Sequence, residues 1–484
     1  MVFNSYIFIL LFLPVCILGY FILNHFKQYR LAQIFLVGMS LWFYGYFNPA
    51  YLFILIISVL FNYVFYLLIR KTTANKNAKL LMIAGVIFNI GILLYFKYMD
   101  FFIGNINGIF KTDIPFLYIA LPLGISFFTF QQISFIVDAY RGDIPEYRFW
   151  EYAGFVTYFP QRVAGPIVTH DELVPQFMDK GKKEFNSDNM SQGLYMFTIG
   201  LSKKILLADM FGKLVSYGYS SINELNSLTA IITMVAYTFQ IYFDFSGYSD
   251  MAIGIGKMMN IDLPQNFNSP YKALTITEFW DRWHMTLTRF FTKYVYIPLG
   301  GNRKGSVQTY INIFIVYLIS GFWHGASWNF IFWGVLHGLF VIFTRRFKKI
   351  FDHIPAVLNW LITFSFVNIA WVFFRAETFS QALALLNKVF TGGMSGFDMQ
   401  FNELLRSVEI AEIISITPLE KIYPPFVITA FFAISFFILL LCKNAYKKMQ
   451  NFRPTFLHML ITLFLLLWSV FSFAGISTFL YFNF

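Results

Sequence analysis

His324 lies within Gly321–Phe330, "GFWHGASWNF", between two apolar runs. An imidazole takes up and returns a proton near neutral pH, so it can serve a group-transfer reaction twice in one turnover. An ionisable side chain in an apolar setting is costly and by default marks a pathway or a reaction site. Gly321, Gly325 and Ser327 keep side-chain bulk low around it, which would leave room for a substrate. His284, in "FWDRWHMTLTRFF", is a second imidazole among aromatic and basic residues. His337 stands thirteen residues beyond His324, inside the next apolar run, and reads as structural support. His25, His170 and His353 lie in polar connections and read as solvated, and His458 as interfacial. "IYFDFSGYSDMAIG" sets Asp244 and Asp250 beside Tyr242, Ser246 and Tyr248. Its carboxylates could orient a base, or simply be solvated at a helix end. In "PLGGNRKG", Gly300 and Gly301 adjoin Arg303 and Lys304, a turn able to cradle a phosphate. It fits neither the P-loop nor the dinucleotide-binding spacing. The histidines are too far apart in sequence to suggest a metal site.

These residues need a scaffold, and composition says which. Of 484 residues 58% are hydrophobic and 13% charged, far from the balance of a soluble globular chain. The chain is an all-α polytopic membrane protein, read as a single integral domain over 1–484. Its parts are N-terminal helices (1–140), a motif-bearing core (141–345) and C-terminal helices (346–484). Twelve apolar runs can be drawn, at 6–24, 31–47, 51–69, 79–96, 115–138, 190–211, 229–247, 307–323, 328–345, 356–374, 425–442 and 456–476. Basic groups around Lys27, Arg70, Lys180, Arg303, Arg345 and Lys443 then share one side, the cytoplasmic one. The net charge of +11 is explained this way, without nucleic acid. Both termini and the loop 375–424 fall outside. The first run lacks a basic leader and a cleavage site, so it is expected to be retained. Stretches 149–168, 248–274 and 275–301 resist a plain spanning reading and are expected to be re-entrant or interfacial. The third is expected to start a helix at Thr277-Glu278. No internal repeat is visible, which counts against a repeat-built transporter.

Six ordered motifs carry a resemblance: "LPLGISFFTFQQISFIVDAYRG" (121–142), "YFPQRVAGPI" (158–167), "YFDFSGYSDMAIGIGKMM" (242–259), "LPQNFNSPY" (263–271), "FWDRWHMTLTRFFTKYVYIPLGGNRKG" (279–305) and "SGFWHGASWNFIFWGVLHGL" (320–339). The chain resembles the membrane-bound O-acyltransferase superfamily, in its AlgI-like branch. The resemblance implies a ring of about 10–12 transmembrane helices, with re-entrant elements, around a tunnel through the membrane. It implies catalytic His324 and His284, with Trp323, Trp328, Phe330, Asn329, His337, Asp244 and Tyr242 lining or supporting the tunnel. Arg282, Arg303 and Lys304 fall on the donor side. Where the family commonly has a second basic residue before the Trp-His pair, this chain has Asp281. The implied donor substrate is acetyl-CoA or another acyl thioester, with no bound cofactor and no metal. The implied acceptor is an exported polysaccharide, peptidoglycan or alginate, reached through a periplasmic, esterase-like (SGNH) partner in the inner membrane's outer space. The aromatic tail 475–484 is a candidate contact for that partner. The rival readings are D-alanyl transfer to teichoic acid, and a non-enzymatic transporter or scaffold.

Overall fold

The computed structural model describes residues 1–72, 74–162, 165–393, 399–405, 423–473 and 479–480. Among them there is no strand. Among the described residues seven helices are long and apolar enough to cross a membrane: Phe8–His25, Pro49–Lys71, Asn75–Phe110, Ser227–Met258, Gly305–His324, Trp328–Arg346 and Ala356–Arg375. Shorter apolar helices include Ile428–Leu440 and Phe456–Phe471. The protein is an all-α, multi-pass membrane protein. The tail 475–484 and the loop 375–424 lie partly outside the described residues.

Apolar runs and helices diverge where polar groups intervene. The run at 79–96 continues as helix to Phe110, because Lys97 does not end it: its Nζ donates to Ser126 Oγ at 3.3 Å. The run at 115–138 becomes helical only at Ile125. Residues 111–124 stay extended or turned there, since Asp100 accepts from the backbone N–H of Leu117 and Tyr118 at 2.7 and 2.9 Å. The three irregular stretches are broken as expected. The helix Phe149–Thr157 gives way to a single turn at Phe159–Gln161, and Ser227–Met258 stops before a non-helical 261–269. The third stretch starts two residues earlier than Thr277: Thr275 is the N-cap, its hydroxyl accepting from Glu278 N at 3.2 Å.

The chain forms two compact units. The first comprises Met1–Gly200, Tyr248–Gln265 and Met449–Phe484. Two of its helices touch backbone to backbone: a Cβ on Gly193 would lie 2.6 Å from Gly254 O. The second comprises Leu201–Gly247 and Asn266–Lys448, and it holds His284, His324 and His337. Its helices Gly305–His324 and Trp328–Arg346 meet at Gly321 and Gly334, where a Cβ on Gly321 would lie 3.0 Å from Gly334 Cα and collide with Phe330 O. Small residues permit this approach.

Candidate active site

His324 is the last residue of the helix Gly305–His324, which ends as Gly325 turns extended. Ser327 then caps the next helix, accepting from Asn329 N at 3.3 Å. The imidazole is 3% exposed and walled by Trp323, Trp333 and Phe374, with ring centroids at 4.9, 5.1 and 5.2 Å. The glycines do not leave a vacancy for substrate, as expected from their size. Gly321 lies against Gly334, and a Cβ on Gly325 would strike the ring of Phe330. Their smallness is used for packing.

His284 joins two short helices, Ile276–Arg282 and Met285–Phe291, and carries φ 45° and ψ 50°. This left-handed backbone costs of order 1–3 kcal/mol and persists only where its surroundings impose it. Asn266 imposes it. Its carbonyl accepts from Met285 N at 3.0 Å, and its side-chain Oδ1 accepts from Thr286 N at 3.3 Å and Thr286 Oγ1 at 2.9 Å. An atom that takes a backbone N–H is an acceptor, so the 3.1 Å contact of His284 Nδ1 to this oxygen makes Nδ1 the protonated nitrogen. Nε2 therefore carries the lone pair. Burial pushes this imidazole down to about 3, so it is neutral. Phe245 packs edge-on at 4.8 Å, and Trp323 stands 6.2 Å away. A single indole, Trp323, thus lies between the His284 and His324 rings.

His337 is buried and accepts from Trp280 Nε1 through Nδ1 at 3.1 Å. It sits against Trp333 at 4.7 Å, a ring that also walls His324. Trp333 stacks on Trp371 at 5.7 Å and 18°, and Trp371 meets Trp283 at 5.1 Å. Tyr242 packs on Trp283 at 6.3 Å. Asn329 is spent on the backbone, donating to Ala376 O at 2.7 Å. Trp328 is 62% exposed, where an enclosed ring was expected. Arg303 and Lys304 are exposed. Arg282 braces its surroundings, pairing with Glu278 at 2.6 Å.

Two readings from sequence are corrected. Asp244 is not solvated at a helix end: it is 1% exposed within Ser227–Met258 and pairs with Lys204 at 2.5 Å, which also reaches Asp209 at 2.9 Å. Lys204 is forty positions away, and buried charge requires such a partner. His170 is not solvated either. At 2% exposure its Nε2 lies 3.4 Å from Asp138 and its Nδ1 3.2 Å from Tyr147 Oη. Polar neighbours in sequence conceal that a buried carboxylate needs it.

The second unit also holds a cavity of about 870 Å³; no histidine lines it, but Trp280, which donates to His337, does. Trp280, Leu287 and Ser320 form its buried part, and the exposed Arg345, Lys348 and Asp352 its mouth. Ser320 is one helical turn before His324, on the same face, and Leu287 three residues after His284.

The model of the membrane-bound O-acyltransferase (MBOAT) family matches residues 117–379, more than half of the chain and both histidine segments. The chain belongs to that family. This O-acyltransferase is 46% identical over 416 residues to the peptidoglycan O-acetyltransferase of Helicobacter pylori, covering 80% of this chain and 79% of that one. It is 39% identical over 416 residues to the probable alginate O-acetylase AlgI of Pseudomonas aeruginosa, covering 84% and 77%. To the teichoic acid D-alanyltransferase of Bacillus subtilis it is 27% identical over 276 residues, covering 53% and 69%. Sequence reasoning missed Asn266, Trp333, Trp371 and Phe374. Asn266 and Trp333 left a signal, each lying inside a quoted motif, "LPQNFNSPY" and "SGFWHGASWNFIFWGVLHGL"; Trp371 and Phe374 reach the histidines only through contacts distant in the chain.

Proposed function

We propose that this O-acyltransferase carries an acetyl group from a cytoplasmic thioester, acetyl-CoA, to the outer side of the membrane for O-acetylation of an exported polysaccharide, peptidoglycan or alginate. The observation that carries the reading is the pair of buried imidazoles with one indole between them, one of them fixed as a neutral base. The higher identity to acetyltransferases favours acetyl over D-alanyl.

The donor approaches through the 870 Å³ cavity, where Arg345 and Lys348 suit its phosphates. His324 serves the acceptor hydroxyl. As the oxygen attacks the thioester carbonyl, the imidazole takes its proton. The C–O bond forms, the C–S bond breaks, and the thiolate leaves with the proton that the His324 imidazolium returns. His284, whose Nε2 accepts, takes an amide N–H of the donor's pantetheine arm beside the thioester, and the surrounding rings exclude water that would hydrolyse the donor. A polymer is too bulky for a site this enclosed, so the hydroxyl belongs to an exported partner protein that delivers the acetyl group onward. The basic groups face the cytoplasm, and both termini lie outside.

The test uses membranes containing this chain, acetyl-CoA labelled in the acetyl group, and the exported partner. Label should pass to the polymer only when both proteins are present. Polymer labelled by this chain alone would overturn the relay, and transfer from a D-alanyl carrier but not from acetyl-CoA would overturn the donor. For orientation, a cysteine replacing Lys348 should escape an impermeant thiol reagent in intact cells, and one replacing Glu377 should react.

A further inference from the structure

Arg162, in the "YFPQRVAGPI" stretch of the first unit, takes no part in the chemistry above. Its side chain is 1% exposed, and all three guanidinium nitrogens are buried with no hydrogen-bond acceptor among the described residues. Among the described residues no carboxylate acts on it: the groups beside it are the phenols of Tyr44 and Tyr152. Its carbon instead lies over two rings, Phe128 at 5.1 Å and Tyr44 at 5.5 Å. Attraction to ring faces is small beside the cost of removing a cation from water without a counter-ion.

The groups nearby also lack acceptors. Tyr44 Oη is buried without a hydrogen-bond partner. Tyr152 donates its hydroxyl to Gln132 Oε1, which turns the amide nitrogen of Gln132 outward from that bond, and this nitrogen too is buried without an acceptor. A guanidinium, a phenol and an amide NH₂ thus gather as donors, and the described residues supply nothing for them to donate to.

The guanidinium does not snorkel into solvent: the side chain is 1% exposed and its three nitrogens are enclosed. A cation buried in this way without a carboxylate partner marks a site.

We propose that Arg162, with Tyr44 and Gln132, holds a small inorganic anion of chloride size in the first unit. The nitrogens are closed in by rings on two sides, which suits a monatomic ion rather than a phosphate ester. The ion supplies the counter-charge and accepts the hydrogen bonds these side chains offer.

The experiment uses the purified full-length chain in lipid nanodiscs. Unfolding is followed by heat while chloride replaces gluconate at constant ionic strength, and a second series uses bromide. The midpoint should rise saturably with chloride and with bromide, and anomalous scattering should place bromide beside Arg162. Arg162→Met should abolish the halide response and be at least as stable as the native chain in gluconate, because an apolar residue of similar volume needs no counter-ion. Tyr44→Phe should weaken halide affinity several-fold. Should Arg162→Met fail to fold, the native titration and the bromide position still decide. An unfolding midpoint independent of halide, an equal response to phosphate or anionic lipid, or water alone beside the guanidinium would overturn the proposal.

Discussion

His170 in the first unit and His284 in the second are both buried imidazoles, yet they are satisfied differently. The ring of His170 is engaged at both nitrogens, by Asp138 at 3.4 Å and by Tyr147 at 3.2 Å. His284 is oriented through Nδ1 by an amide oxygen that also takes two donors from Thr286, and its backbone is bent into the left-handed region to make that possible. Burial is nearly the same in the two cases and so tells nothing about role. The hydrogen-bond account does: the ring of His170 is held by a carboxylate and a phenol, whereas a shared amide oxygen fixes the tautomer of His284 and so places its lone pair on Nε2.

The largest effect expected from this contrast is at the reacting end. His324→Ala should lower acetyl transfer on the order of 10³-fold or more, with protein abundance in the membrane near normal. His170→Ala should do the reverse, lowering abundance and leaving transfer per folded molecule unchanged. A His170 variant that was inactive at normal abundance would break the comparison.

Asn266→Leu should cost roughly 10²-fold in kcat with little change in KM, because the His284 ring loses its tautomer and aim. Asn266→Asp keeps an acceptor facing Nδ1 and should recover part of the loss. Equal damage from both would mean that Asn266 only holds the loop.

Gly334→Ala should destabilise the chain by about 1–3 kcal/mol, read as a lower unfolding temperature in nanodiscs, since the new methyl has only backbone to push against. The smallest effect is expected at Trp280→Phe. Losing its bond to His337 should cost about 1 kcal/mol of stability and less than tenfold in transfer. A larger kinetic loss there would make His337 more than a support.

Much of this was legible in the sequence, for identifiable reasons. Composition declares a membrane protein, and the two histidines stand in aromatic stretches that soluble chemistry would not explain. Helix limits were less legible, because hydropathy cannot tell that Asp100 pins residues 117–118 in an extended path or that Lys97 is turned inward to Ser126. The partners were least legible. Lys204 meets Asp244, and Trp371 meets Trp283, through packing between segments that share no local pattern. Only Thr275, two residues before Thr277, was missed for a local reason: Glu278 lies three residues after it, the spacing of an N-cap.

The meeting of Gly321 with Gly334 has a bearing on how the site can vary. Side chains have rotamers and yield when a neighbour changes. Two backbones in contact have none, so the separation of these helices is as stiff as the peptide chain itself. His324 sits three residues beyond that contact, on the same rigid rod. The rings around it can therefore be exchanged while the imidazole keeps its coordinates. On the reaction proposed above, such a change would alter the fit of acyl group or acceptor without moving the base.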